Sequence, residues 1–274
     1  MKIATAQSIV SNSVQENGAV IRSLIKEAKA QGASLVHFCE GALSGYTKQQ
    51  VGYWEAFDFN GIRAEIKLIQ CLCKQLNIWT VVGSAHQLSN SHKPHNSLYI
   101  ISNDGNIVNR YDKRMCSHNE LENWFSPGFD VCTFEISGIK FSCVICIEIQ
   151  FSEIFRAYEK MGVDCVLFSS YSRDPMFGIQ AQGYAAINNY WISMSVPTNE
   201  SHLQSSQFIG PNGEIVDKCP KNKTDLIISE MNKNDEKWEI ALNFAKPWRK
   251  EARIGKIYIE KRVFVDRSTL KTIT

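Results

Sequence analysis

Glu40, Lys113 and Cys146 each stand just past a run of residues with strand character. A carboxylate can take a proton, an ammonium can hold a developing negative charge, and a thiol can attack carbon once deprotonated. Together these types suit cleavage of an acyl bond through a covalent intermediate. Taken singly, each has a plainer reading. A charge beyond a strand end is mostly solvated, and free cysteine is among the most buried residue types. The thiol has the clearest setting: an apolar strand over residues 139–146, a short bend, then a helix over 153–161 that Ser152 could cap. Open α/β sheets bind ligands at the carboxyl ends of strands, and backbone N–H groups at such a bend are free to hold an oxyanion.

Other catalytic patterns are missing. There is no G-x-S-x-G, H-E-x-x-H, G-x-x-x-x-G-K-[ST] or G-x-G-x-x-G. Cys143 and Cys146 spell C-x-x-C, but residues three apart on a strand point to opposite faces, and no second pair completes a four-cysteine metal site. No metal and no cofactor is expected. The six histidines lack paired ligand spacing, and His37, inside a strand, reads as core or lining rather than as a base.

The elements that must position these groups alternate along the chain. Strand patterns cover residues 2–6, 34–39, 78–85 (closed by Gly83), 163–169 and 191–196. Helical spacing covers 18–31, 62–76 and 178–189. Asp104-Gly105 suits a tight turn between strands 96–102 and 106–111. Similar turns at Ser137-Gly138 and Pro211-Asn212-Gly213 join strands 131–135 to 139–146 and 207–210 to 214–216. Hairpins mixed with β-α-β units exclude a simple doubly wound sheet and point to a layered α/β sandwich with mixed sheets. Residues 232–274 read as a polar tail.

Composition excludes several classes. Hydrophobic residues make up 44% of the 274, charged residues 21%, and the net charge is only +2. Neither a nucleic-acid surface nor a polybasic membrane patch is expected. No stretch approaches a membrane span, and the first ten residues reach polar Gln7 and Ser8 too soon for a secretion leader. Nine cysteines, mostly inside apolar runs, are then expected as reduced thiols in a cytoplasmic protein.

Three motifs in order resemble those of the nitrilase superfamily, the carbon–nitrogen hydrolases. They are Val36-His-Phe-Cys-Glu40-Gly-Ala-Leu-Ser-Gly-Tyr46, then Tyr111-Asp-Lys113-Arg, then Val144-Ile-Cys146-Ile-Glu148-Ile-Gln-Phe151-Ser-Glu153. The Asn96-Ser-Leu-Tyr99 strand and the Phe125-Ser-Pro-Gly128 turn agree as well. Four positions depart from the family pattern. Glu148 stands for aspartate, Ser152 and Cys39 stand for prolines, and a later Arg-Ala-x-Glu-Asn helix motif appears as Ala185-Ala-Ile-Asn188-Asn189, losing both its charges.

The resemblance implies a four-layer α-β-β-α sandwich with two mixed β-sheets, formed by one domain over residues 1–274. It also implies a homodimer, in which Trp248-Arg249 of the tail would pack across the interface or within its own subunit. It implies Glu40 as base, Lys113 and the Ile147 backbone N–H as oxyanion donors, Cys146 as nucleophile held toward thiolate by Lys113, and a second carboxylate. Glu120 is taken for the last, with Glu122 the competitor. Tyr46, Phe151, Tyr171 and Arg173 are candidate pocket walls for a small-molecule amide. A nitrilase would carry tryptophan where Ile147 stands. A carbamoyl-amine hydrolase and a binding protein with a retired site are the remaining readings.

Overall fold

The computed structural model of the protein describes residues 1–270, apart from residues 48 and 90. Its strands are β1 (Lys2–Gln7), β2 (Leu35–His37), β3 (Trp79–His86), β4 (His95–Ile101), β5 (Ile107–Asp112), β6 (Thr133–Ile136), β7 (Ile139–Ile145), β8 (Cys165–Ser169), β9 (Trp191–Ser195), β10 (Gln207–Ile209), β11 (Ile215–Lys218) and β12 (Asp225–Glu230). They form two six-stranded sheets, ordered β12-β1-β2-β3-β4-β5 and β11-β10-β9-β8-β7-β6. Both sheets are mixed. In the first, β1, β2 and β3 run parallel and the outer pairs run antiparallel. In the second, β7, β8 and β9 do the same. β2 and β8 therefore occupy equivalent central positions.

Alternation along the strands decides what each face meets. Ile3, Leu35, Val81 and Ile100 of the first sheet pack toward the second. Their neighbours Ala4, Val36, Val82 and Ile101 pack against helices α1 (Val14–Ala30) and α2 (Phe59–Leu76). After the short helix α3 (His118–Asn123), helices α4 (Ser152–Lys160) and α5 (Met176–Asn188) cover the second sheet with Phe155, Tyr158, Phe177 and Ala181. The order helices, sheet, sheet, helices is the four-layer sandwich expected.

Several boundaries differ from the sequence reading. α1 begins four residues before the apolar spacing does, because the Ser13 hydroxyl accepts from the Glu16 N–H and caps it. Ser152 does not cap α4: a 3₁₀ turn over Cys146–Gln150 runs almost directly into it, and Ser152 is its first residue. Gly83 does not close β3 but lies within it, where a Cβ would collide with the carbonyl oxygen of Cys39. That close approach needs glycine beside the Glu40 turn. β12, unassigned from sequence, pairs with β1 along its whole length.

The tail after β12 turns back onto its own chain. Arg249 donates to the Ala186 and Ile187 carbonyls and to Asn189 at the carboxyl end of α5. Trp248 beside it is 57% exposed. Among the described residues no helix is long and apolar enough to cross a membrane.

Candidate active site

Glu40, Lys113 and Cys146 meet where the carboxyl ends of β2, β5 and β7 converge. Neither Glu40 nor Lys113 is the solvated charge that each alone suggested, and Cys146 is buried as a lone cysteine would be. Glu40 is wholly buried, Lys113 is 1% exposed and Cys146 8%. The Lys113 ammonium lies 3.0 Å from Glu40 Oε1 and 2.7 Å from Glu120 Oε1. Glu120 is also buried, whereas Glu122 is exposed. The geometry thus brings Glu120, and not Glu122, to the lysine.

Each group is held by its backbone surroundings. Asn96 donates to Glu40 Oε1 at 2.7 Å, and the Tyr171 N–H donates to Glu40 Oε2 at 3.0 Å. The Lys113 N–H donates to the Asn96 carbonyl, and the Lys113 carbonyl accepts from Gly128. Glu120 sits at the third position of α3 in a capping box. It accepts from the Ser117 N–H at 2.7 Å while the Ser117 hydroxyl accepts from the Glu120 N–H at 3.3 Å. Cys146 has φ +50°, a left-handed conformation rarely taken by non-glycine residues, in the bend after β7.

Glu148 fixes that bend. Buried, it accepts from the Ile145 N–H at 2.8 Å, the Arg114 N–H at 2.8 Å, the Met115 N–H at 3.1 Å and the Tyr111 hydroxyl at 2.8 Å. One carboxylate therefore ties the segment after Lys113 to the residue before Cys146. The sequence marks Glu148 as a departure from aspartate and as the glutamate of a nitrilase-type pair without its tryptophan, and announces no structural role for it. Sequence reading also passed over Asn96 and Ser117 as site residues, although Ser117-x-x-Glu120 is a capping-box spacing visible in the sequence.

The electrostatics separate the two carboxylates. Burial raises the Glu40 pKa above its ordinary 4.5; Lys113 opposes this and the Glu120 charge adds to it. Burial would raise Glu120 too, but Lys113 and the Ser117 hydrogen bonds outweigh it and hold the group below 4.5. Burial would lower Lys113, yet Glu40 and Glu120 keep it well above its usual value. Burial and the Glu40 charge push the Cys146 thiol up, more than Lys113 draws it down. Burial and the Glu40 charge thus work against the thiolate that Lys113 favours.

The other expected residues divide. Tyr46 and Tyr171 stack at 4.3 Å with rings 5° from parallel, and Gln50 donates to the Tyr171 hydroxyl at 2.9 Å. Tyr46 lies within electrostatic reach of Glu40, Cys146 and Lys113. Ile147 follows Cys146 and, like Phe151, is half-buried and packed against the core around the second sheet. Arg173 is 62% exposed at its side chain and paired 3.1 Å from the buried Glu200, so its guanidinium is already engaged. Among the described residues no three His, Cys, Asp or Glu side chains are arranged to hold a metal ion.

The two-sheet sandwich is the fold of a carbon–nitrogen hydrolase, and comparison with known proteins shows that class. The carbon–nitrogen hydrolase family model matches residues 2–237, and the chain belongs to that family, within the nitrilase superfamily. It is similar to the glutamine-dependent NAD(+) synthetase of Acinetobacter baylyi, 26% identical over 87% of this chain but only 45% of that protein. The chain thus spans about half the length of that relative. It is also similar to the omega-amidase NIT2 of Danio rerio, 23% identical over 80% of this chain and 83% of the relative. A solved Nesterenkonia AN1 amidase shares its fold, with a TM-score of 0.76 at 17% identity, covering 94% of this chain and 97% of that one.

Proposed function

We propose that this carbon–nitrogen hydrolase cleaves small amides through a thioester on Cys146. The observation that carries the reading is the buried Lys113 ammonium between two carboxylates whose pKa values are driven apart, with the Cys146 thiol beside them. Opposed shifts of this kind assign acid–base roles: the raised carboxylate exchanges protons and the depressed one stays charged.

Glu40 takes the thiol proton as the sulfur attacks the amide carbonyl. Lys113 and the Ile147 N–H hold the resulting oxyanion; loss of one such donor typically costs roughly 3–4 kcal/mol of barrier. The C–N bond breaks, Glu40 passes its proton to the departing nitrogen, and ammonia or an amine leaves. Glu40 then takes a proton from water, the hydroxide attacks the thioester, and the acid leaves as the sulfur regains its proton. Glu120 keeps Lys113 charged and oriented. Tyr46, Tyr171 and Phe151 would form the acyl pocket walls. Arg173, occupied by Glu200, would meet a substrate carboxylate only by exchanging partners.

The test is ammonia release over small amides, ω-amides, N-carbamoyl amines and nitriles, with Cys146→Ala and Lys113→Ala beside the wild type. Full activity in either variant sinks the mechanism. Turnover of nitriles or carbamoyl amines alone would move the chain to those branches of the superfamily. An N-carbamoylputrescine amidase of Arabidopsis thaliana, 22% identical, keeps the latter in the panel. The reading includes a cytoplasmic homodimer that covers Trp248. Light scattering on the wild type and on Trp248→Glu tests the dimer.

A further inference from the structure

The geometry points to His37 as a positioning residue that holds the two sheets in register behind Glu40. His37 is wholly buried on β2, three residues before Glu40. Its Nε2 lies 2.8 Å from the Ser169 hydroxyl on β8, and its Nδ1 lies 2.9 Å from the Ser193 hydroxyl on β9. Thr5 on β1 lies 2.7 Å from the same Ser193 hydroxyl.

The donors can be ordered. Ser169 donates its one proton to the Phe38 carbonyl at 2.8 Å, so it must accept from the His37 Nε2–H. Burial pushes the His37 pKa down to about 3, so the ring is neutral and Nδ1 accepts from Ser193. Ser193 then accepts from Thr5. A single directed chain runs Thr5, Ser193, His37, Ser169, Phe38 carbonyl, crossing from the first sheet to the second and back.

Its two ends of interest carry the site. Phe38 precedes Glu40 by two residues, and Ser169 precedes Tyr171 by two. The Tyr171 N–H is the donor to Glu40 Oε2. The groups facing Glu40 are Asn96, Lys113, Glu120 and the Tyr171 N–H, with Tyr46 and Cys146 alongside. Of these, the Tyr171 donor depends on how β2 and β8 lie against each other, and His37 sets that spacing. The sheets also meet through other polar contacts, among them the Ser195 hydroxyl on β9 donating to the Ala6 carbonyl on β1 at 2.6 Å, but the His37–Ser169 pair joins β2 itself to β8.

This inference rests on Glu40 acting as the base. The test is the pH dependence of Cys146 alkylation by iodoacetamide, read at that residue by mass spectrometry, for wild type, His37→Val, His37→Gln, Ser169→Ala and Glu40→Gln. Loss of the chain should let the Tyr171 N–H drift from Glu40, which disfavours the carboxylate. The acid limb should then move to higher pH by about half a unit or more, and the plateau rate should fall about tenfold. Ser169→Ala, which removes both the link to Phe38 and the acceptor of the His37 Nε2–H, should do the same. His37→Gln, whose amide N–H can stand in for Nε2–H, should recover part of the loss. A wild-type profile in folded His37→Val or Ser169→Ala overturns the inference, even if thermal stability has dropped. A wild-type profile in Glu40→Gln instead overturns the base assignment itself.

Discussion

Replacing Glu148 with glutamine removes one charge and one acceptor and changes almost nothing in shape. In the native site one carboxylate serves three backbone N–H groups and one hydroxyl. The amide can keep its oxygen toward the Arg114 and Met115 N–H groups, but its NH₂ then faces the Ile145 N–H. Leaving that buried donor unpaired costs about 1–3 kcal/mol. The two retained bonds change from a charged to a neutral acceptor and lose about 1 kcal/mol each. The sum is about 4 kcal/mol, a large share of a domain's usual margin of about 5–15. Urea denaturation should show a lower midpoint with an unchanged slope. Activity should suffer beyond stability, because the bond to Ile145 adjoins Cys146 and those to Arg114 and Met115 adjoin Lys113. A misplacement near 1 Å costs about a hundredfold. A folded Glu148→Gln protein within about 1 kcal/mol of wild type and with kcat essentially unchanged would refute the argument.

Because Glu40 must be ionised to act, kcat/KM should fall in acid with a midpoint above the ordinary glutamate value of 4.5; a midpoint at or below that value contradicts the assignment. Glu120, held below 4.5, contributes stability that is full above pH 4.5 and lost as pH falls through its folded-state value. The unfolding free energies of wild type and Glu120→Gln should therefore differ at neutral pH and converge in acid. Ser117→Ala should cost about 1 kcal/mol as a lost helix cap and lower kcat more than it changes KM, since α3 carries Glu120. Arg249→Ala should lower the thermal midpoint by removing donors to the carboxyl end of α5 while leaving kcat alone.

Much of this was legible in the sequence because strand ends and turns have local signatures. Asp104-Gly105 and Pro211-Asn212-Gly213 do join antiparallel strands. Glu40, Lys113 and Cys146 do converge. What failed was whatever depends on a partner far along the chain. Arg173 looked free because nothing nearby in sequence announces Glu200, yet the two are paired. Glu148 looked like a conservative exchange because its donors come from residues 111–115 as well as from Ile145. β12 is hard to read because its apolar run, Leu226-Ile227-Ile228, is only three residues long between polar flanks until β1 supplies the other half of the pairing. His37 was rightly assigned to the interior, but the hydroxyls that meet it lie more than 130 residues away.

The two sheets repeat one pairing pattern: antiparallel, parallel, parallel, antiparallel, antiparallel, read from β12 in one and from β6 in the other. The second sheet is written in the chain without interruption. The first is not, because its opening strand is β12 and arrives last. During synthesis the segment bearing Cys146 can therefore complete its sheet while β1, which runs beside the Glu40 strand, still shows an open edge. At about 5–20 residues per second the ribosome needs on the order of 10–50 s to pass from β1 to β12. Until then an unpaired strand edge is available to other chains.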